Sequence, residues 1–573
     1  MKLVLHYLKK HLGIFLLSTF FLTVEAMADL LQPTFMSFIV DKGIRSADVP
    51  MILRYGLIML GIALLGALGA VMRNIFASRT STAVSRELRS DMYENVTKLS
   101  LENIDRLEPA SIITRITNDV TQVQDFVNSI MRMMVKAPLT CVGAITLIII
   151  QTPRQAPVMG VILLIAAFLI YINIRVGYPR FGKVQRMLDK LNGVTREYLS
   201  SVRVVKAFRA EDEEGEKFTD ASLHLASANT SALRIMAVFT PLINLAINFG
   251  IVLLLWISQE QDASQIGRLM ASVNYMTQVL FAVTMIANTI NNAVRAMASA
   301  GRISEVLNEE PAQKMSESPM KPVLTGAVSF EKVSFTYASA GNESLSDISF
   351  TLPAGTTAGI IGPTGSGKST LVNLVPRLYD ATKGDVRVDG VNVNDIDTRV
   401  LRDAIAIVPQ KALLFTGTVA DNLRWGNSQA TDAELREAAR AACAEEFVLG
   451  MDKGYDSMLS QGGVNLSGGQ KQRLSLARAL VRKPKILILD DCTSALDAQT
   501  ESKVLRGIRS LDGKLTVLLI SQRISTVMRC DTILCMDNGR LMGMGSHEEL
   551  MKSCPTYKEI YASQIGGEDD GRH

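Results

Sequence analysis

Apolar residues fill the first 300 positions in six long runs, at about 13–38, 52–76, 131–151, 156–177, 237–258 and 268–293. A helix needs roughly 20 such residues to cross a bilayer, so the pattern predicts six membrane-spanning helices. The connections are unequal. Short loops at about 39–51, 152–156 and 259–267 join spans one to two, three to four and five to six. The other two connections are long, charged and almost free of Pro and Gly. Within them apolar residues recur at helical spacing, as at Leu88, Met92, Val96 and Leu99. They read as helices that carry the spans well beyond the lipid, at about 1.5 Å per residue.

The pattern changes after residue 308. The stretch 309–326, EEPAQKMSESPMKPVLTG, is polar and proline-containing and reads as a linker. Beyond it strand-like runs alternate with helical ones: VSFEKVSFTY, AGIIG, LVNLVPRLY, AIAIVPQ, KILILDD and KLTVLLISQ. That alternation predicts an α/β domain with a largely parallel sheet. The expected organisation is an all-α transmembrane domain at 1–308, the linker at 309–326 and an α/β domain at 327–573.

Charge orients the membrane half. The long connections carry Arg73, Arg79, Arg86, Arg89, Lys98, Arg106, Arg115, Arg132 and Lys136, and eleven more basic residues between 175 and 234. The short loops hold Lys42, Arg45, Arg154 and, at one edge, Arg268. By the positive-inside rule the N-terminus, the long loops and the C-terminal half face the cytoplasm. The opening MKLVLHYLKKHLGIFLL resembles a signal peptide, but its apolar run continues too far and no small-residue cleavage site follows. Residues 1–11 instead read as an interfacial amphipathic helix leading into the first span.

Composition adds little. The 573 residues are 48% hydrophobic, an average over two unlike halves, and the net charge of +4 gives no case for nucleic-acid binding. Six scattered cysteines lack metal-ligand spacing and fit a reduced cytosolic setting.

Inside the spans several polar residues stand out. Glu25, Asp29 and Gln32 share helical spacing in the first, and Asn244 and Asn248 lie one turn apart in the fifth. Asn274, Gln278, Asn288, Asn291 and Asn292 fall in or near the sixth. Intramembrane carboxylates are costly and face protein or a cavity. A polar substrate path and interhelical hydrogen bonding both account for these residues.

Gly362-Pro-Thr-Gly-Ser-Gly367-Lys368-Ser369 has the spacing of a phosphate-binding Walker A loop, between a strand and a helix as that motif requires. Gly365 and Gly367 let the backbone N–H groups of Thr364, Ser366 and Thr370 and their neighbours curl around phosphate. The helix N-terminus adds a favourable dipole, and Lys368 reaches the terminal phosphates. Ser369 is placed to coordinate magnesium. About 120 residues on, the apolar strand Ile486–Leu489 ends in Asp490, which can hold the hydration shell of that ion beside Ser369.

Between these motifs lies Leu466-Ser467-Gly468-Gly469-Gln470, followed by KQRLSLARAL and then by ILILDDCTSALD. This series resembles the nucleotide-binding domain of ABC transporters. The resemblance spans the chain: VRVVKAFRAEDEEGEKF (202–218) and Ile104–Val120 resemble the cytoplasmic loops of six-helix ABC exporters, and ASAGRISEVLNEEP (298–311) the end of their sixth helix. It implies ATP and Mg2+ as cofactors and a helical subdomain within the α/β P-loop ATPase domain. Tyr337, 25 residues before Gly362, is implied to stack on adenine. Gln410 is implied to touch magnesium and the attacking water. Ser467, Gly468, Gly469 and Gln470 are implied to cap the γ-phosphate held by the other subunit, and Asp497 to communicate across that interface. Segments 108–115 and 205–213 are the candidate coupling helices.

Two positions depart from the family pattern. Asp491 stands where the catalytic base is a glutamate, and Gln522 where a histidine contacts the γ-phosphate. A shorter carboxylate sits farther from the water it must polarise, and glutamine cannot carry positive charge. The resemblance therefore implies one half of a heterodimeric exporter of drugs, lipids or peptides, with a slow site of its own and an intact signature serving a non-identical partner. No peptidase segment precedes the first span, which weighs against a peptide-processing exporter. A homodimeric pump, an ATP-gated or regulatory membrane protein and an importer on the same fold stay open. A soluble P-loop ATPase is excluded by the six spans and the charge asymmetry. Polar residues in a helix bundle do not encode the substrate.

Overall fold

A computed structural model describes residues 2–153, 156–257, 266–314, 316, 318–338, 340–511 and 515–565. The chain divides into two compact units, one of residues 1–96 and 110–308, the other of residues 97–109 and 309–573. Arg154 and most of the loop expected at 259–267 lie outside the described residues.

The first unit is all helical, and six of its helices are long and apolar enough to cross a membrane. The spans sit where the apolar runs place them. The helix Leu12–Phe38 runs on as a π-helical turn, Ile39–Ile44. The others are Val49–Lys98, the helical segment Pro109–Gln151 that ends in the helix Lys136–Gln151, Ala156–Phe208, Glu211–Ile257 and Ile266–Leu307. A 53-residue helix is about 80 Å long, against a hydrocarbon core of about 30 Å. The charged connections are thus continuous with the spans, as their periodicity predicts. The short helix Lys2–Lys10 lays Val4, Tyr7 and Leu8 against protein. It is pinned by Tyr7 Oη donating to Asp91 Oδ2 at 2.6 Å and by His11 against Glu87 at 3.0 Å.

Of the two expected coupling helices, a short helix does lie within 108–115, while none lies within 205–213. The first connection holds two short helices, Leu101–Leu107 and Pro109–Thr114, split at Glu108, whose φ is 59°. The Ser100–Asn103 capping box starts the earlier one. At 205–213 there is no separate helix. Ala156–Phe208 and Glu211–Ile257 meet at a two-residue turn, with Arg209 at φ 54°. The four acidic residues Glu211–Glu214 favour a helix N-terminus directly after it.

In the second unit the main sheet has six strands in the order 540–545, 532–537, 357–361, 516–520, 486–490 and 405–408. All its pairings are parallel except that of the 540–545 edge strand. Ile486–Leu489 and Thr516–Ile520 are buried throughout, so both are continuous apolar runs rather than alternating ones. A second, antiparallel sheet packs Phe330 and Phe350 face to face, 4.7 Å between ring centroids.

Candidate functional site

Parallel α/β sheets present ligands at the carboxyl ends of their strands. Four adjacent strands do so here. The Walker A loop follows strand 357–361, Gln522 follows strand 516–520, Asp490 ends strand 486–490, and Gln410 follows strand 405–408. The sheet register therefore gathers residues spread over 160 positions. Thr364, Gly365, Gly367, Lys368, Ser369, Thr370, Gln410, Asp490, Asp491 and Gln522 all line one cleft of about 560 Å3. Asn342, Ser344, Asn538 and Gly539 also line it. Sequence reasoning missed these four, because they come from turns with no motif of their own.

The loop has the shape its glycines allow. A Cβ on Gly362 would lie 2.1 Å from the Met536 carbonyl oxygen, and Gly367 sits at φ 91°. Lys368 is buried and folds back on the loop, Nζ donating to the carbonyls of Gly362 at 2.8 Å and Pro363 at 2.6 Å. Burial holds its pKa below the ordinary lysine value, against the pull of Asp491 and Asp490. The ammonium is thus held at the loop in the place of a phosphate's positive partner.

Ser369 Oγ donates to Asp490 Oδ1 at 2.9 Å. Burial raises the Asp490 pKa, partly offset by this bond. A hydroxyl and a carboxylate in contact beside a phosphate cradle fit magnesium, which takes hard oxygens and is commonly held by one or two protein groups plus phosphate oxygens. Among the described residues no cluster of three or more His, Cys, Asp or Glu could hold a metal alone. The donor set suits an ion that arrives with a nucleotide.

Asp491 is buried at φ 45°. Its Oδ2 accepts from Gln522 Nε2 at 3.1 Å and from Gln410 Nε2 at 3.4 Å. Burial, the largest influence, raises its pKa. The chain of contacts goes further, for Gln472 Nε2 donates to the Gln410 carbonyl at 2.6 Å. Gln472 lies on the helix Gly468–Val481, so that helix is tied to the cleft through Gln410.

Ser467, Gly468, Gly469 and Gln470 stand apart, and none of them lines the cleft. Ser467 caps the helix Gly468–Val481, accepting from Gln470 N, while Gln470 Oε1 accepts from Ser467 N at 2.9 Å. A Cβ on Gly469 would come within 3.2 Å of the Ala495 carbonyl oxygen. Arg523 holds the same segment from the other side, donating to the carbonyls of Ser494 and Leu496 and to Glu501. Asp497 caps the next helix through Thr500 N at 2.9 Å. One chain therefore has a phosphate cradle and a set of signature amides that do not meet.

Tyr337 is half-buried and outside the cleft lining. Its ring meets Phe335 and Tyr379 edge-on, at 4.7 and 5.3 Å, and its hydroxyl is 3.1 Å from Thr370 Oγ1. Tyr379 in turn donates to Asp105 Oδ2 at 2.5 Å, and burial raises its pKa. Asn103 bonds Glu309 and the Glu310 carbonyl. The likeness of Ile104–Val120 to a cytoplasmic exporter loop points to this neighbourhood, but the inclusion of the whole stretch 97–109 with this domain comes from the fold.

Two family profiles match the chain. The one described as the ABC transporter transmembrane region covers residues 15–283, and the one described as ABC transporter covers residues 345–494. An ABC transporter ATP-binding protein of Mycobacterium bovis is 41% identical, over 94% of each chain. An ATP-dependent lipid A-core flippase of Aromatoleum aromaticum is 31% identical, over 98% of this chain and 96% of its own. A bacterial Atm1-family ABC exporter solved with ATP bound has the same fold, with TM-score 0.78, 24% identity, and 97% and 98% of the two chains covered.

Proposed function

Because this chain belongs to the ABC transporter family, as a multi-pass membrane protein with its own ATP-hydrolysing domain, we propose that it works as one half of an ATP-driven exporter whose other half is a non-identical chain. In this reading its own Walker face forms the slower of two composite sites, and its signature completes the faster one. ATP lies with its phosphates in the loop Gly362–Thr370 and its adenine against Tyr337. Ser369, Asp490 and Gln410 would hold Mg2+, which when bound would supply positive charge against the phosphate oxygens. Ser467, Gly468, Gly469 and Gln470 present amide and hydroxyl donors to the phosphate bound by the partner. The export direction is supported by the likeness to a lipid A-core flippase.

The observation that carries the slow-site reading is the pair of amides on Asp491 Oδ2. A general base must reach the water it deprotonates. The Asp491 carboxylate is one methylene, about 1.5 Å, shorter than glutamate. It is also occupied by two donors, and the neighbour that would stabilise charge on phosphate is a neutral amide. Loss of a positioned base costs about 10²–10⁴ in rate.

The test is ATP hydrolysis by the full-length chain alone and with its partner. The chain alone should turn over slowly and the pair quickly. Vigorous turnover by the purified single chain would instead make it a homodimeric pump.

A further inference from the structure

The first unit holds a charge cluster that the nucleotide chemistry does not use. Glu25 is buried between Arg73, with Nε at 2.9 Å, and Lys136, with Nζ at 2.6 Å. Lys136 also reaches Asp29 Oδ2 at 2.8 Å. The two acids balance the two bases that contact them, with the exposed Arg132 nearby, whose carbonyl accepts from Arg73 at 3.1 Å. Glu25 is thus a packing group. Asp29 differs: its side chain is 43% exposed, against 20% for Lys136 and 10% for Glu25 and Arg73. The accessible charge is therefore a carboxylate.

That carboxylate opens on a recess of about 220 Å3, lined also by Gln32, Lys136, Thr140, Gln278 and Phe281. Two polar atoms there are buried without a hydrogen-bond partner among the described residues: Thr140 Oγ1, on a residue 8% exposed, and Gln278 Oε1. The Gln278 amide nitrogen donates to Asn274 Oδ1 at 3.0 Å and to the Asp29 carbonyl at 3.3 Å, which fixes the oxygen as the unused end. An orphaned buried polar atom is costly, so the site is built for a ligand that supplies what it lacks. The spare capacity is acceptors: the exposed Asp29 carboxylate, the Gln278 oxygen and the Thr140 hydroxyl oxygen. The Lys136 donors are spent on Glu25 and Asp29, and the Gln32 amide can present its oxygen as a further acceptor. Of the remaining lining Gln32 is polar and Ala137, Phe281, Ala282 and Met285 are apolar, and the Phe281 ring adds an aromatic face that attracts a cation.

We propose that this recess binds a primary ammonium group carried on an apolar body. The ammonium donates to Asp29, Gln278 and Thr140, and Lys136 turns its remaining charge toward Glu25. The site rests on the export reading only in being a seat for cargo. The amine can belong to a free amphiphile or to an ethanolamine lipid headgroup.

The experiment places the full-length chain in phosphatidylcholine nanodiscs without ATP turnover. Binding of 5-phenylpentylammonium is compared with 5-phenylpentanol and 5-phenylpentanoate, after subtraction of empty nanodiscs. The ammonium should bind at least tenfold more tightly than either analogue. Asp29→Asn should weaken it at least tenfold, and Thr140→Val about threefold, with ATP affinity unchanged in both variants as a check on folding. Phosphatidylethanolamine that displaces the probe assigns the amine to lipid; failure to displace assigns it to free cargo. Equal or tighter binding of the carboxylate, or an unchanged affinity in Asp29→Asn, overturns the proposal. Binding without ATP-driven transport of the probe would count against export alone.

Discussion

Gln522 Nε2 donates to Asp491 Oδ2 at 3.1 Å, so the two residues that depart from the family pattern are in contact. Gln410 donates to the same oxygen at 3.4 Å. The departures are coupled rather than independent, and their effects should not add.

Asp491→Glu with Gln522→His should raise hydrolysis at this site by about tenfold or more, since a positioned base is worth about 10²–10⁴. Each single change should give less than its share. The measurement is ATPase rate of the co-purified pair, with the partner's own Walker lysine replaced so that only this site turns over. A double variant no faster than the parent removes the base-geometry argument.

Burial raises the pKa of Asp490, and the sign of the pH effect follows. A carboxyl that binds its proton more tightly when folded favours the fold at low pH. The nucleotide-free protein should therefore lose stability as pH climbs from the ordinary carboxylate range through the raised value. Asp490→Asn should flatten that slope and raise Tm near neutral pH by about 2–4 °C, as ~1 kcal/mol would in a domain of this size. Thermal melting across pH checks both.

Glu25→Ala leaves Arg73 and Lys136 facing each other with their shared carboxylate gone. Stripping one partner from a buried ion network costs about 3–5 kcal/mol. The expected result is a Tm lower by on the order of 10 °C in detergent. Asp29→Asn, on the exposed edge of the same cluster, should cost much less. Equal losses would mean that the burial difference between the two carboxylates has no energetic weight.

Tyr379→Phe removes the hydroxyl that holds Asp105. A hydrogen bond to a charged group contributes about 1.5–3 kcal/mol. Amides of Leu101–Leu107 should exchange with deuterium about 10–150-fold faster, with the Walker loop unaffected. Unchanged exchange would show that Asn103 and its bonds to residues 309–312 hold the segment unaided.

Much of this was legible in the chain because it depends on local chemistry. Six spans follow from run length, since a bilayer demands about 20 apolar residues in a row. The phosphate loop follows from Gly362, Gly367 and Lys368, whose steric freedom and charge are needed at fixed spacing. What tertiary structure decided is contact between distant residues. Register across four parallel strands, not spacing, puts Gln410 and Gln522 on one oxygen of Asp491. Helix packing, not composition, makes Glu25 a buried counter-ion and leaves Asp29, four residues on, open to a recess. The break at Glu108, where helix gives way to a positive φ, belongs with the local signals, because the ring of Pro109 disfavours the α region at the residue before it. A carboxylate's role depends on what surrounds it, and only the fold specifies those neighbours.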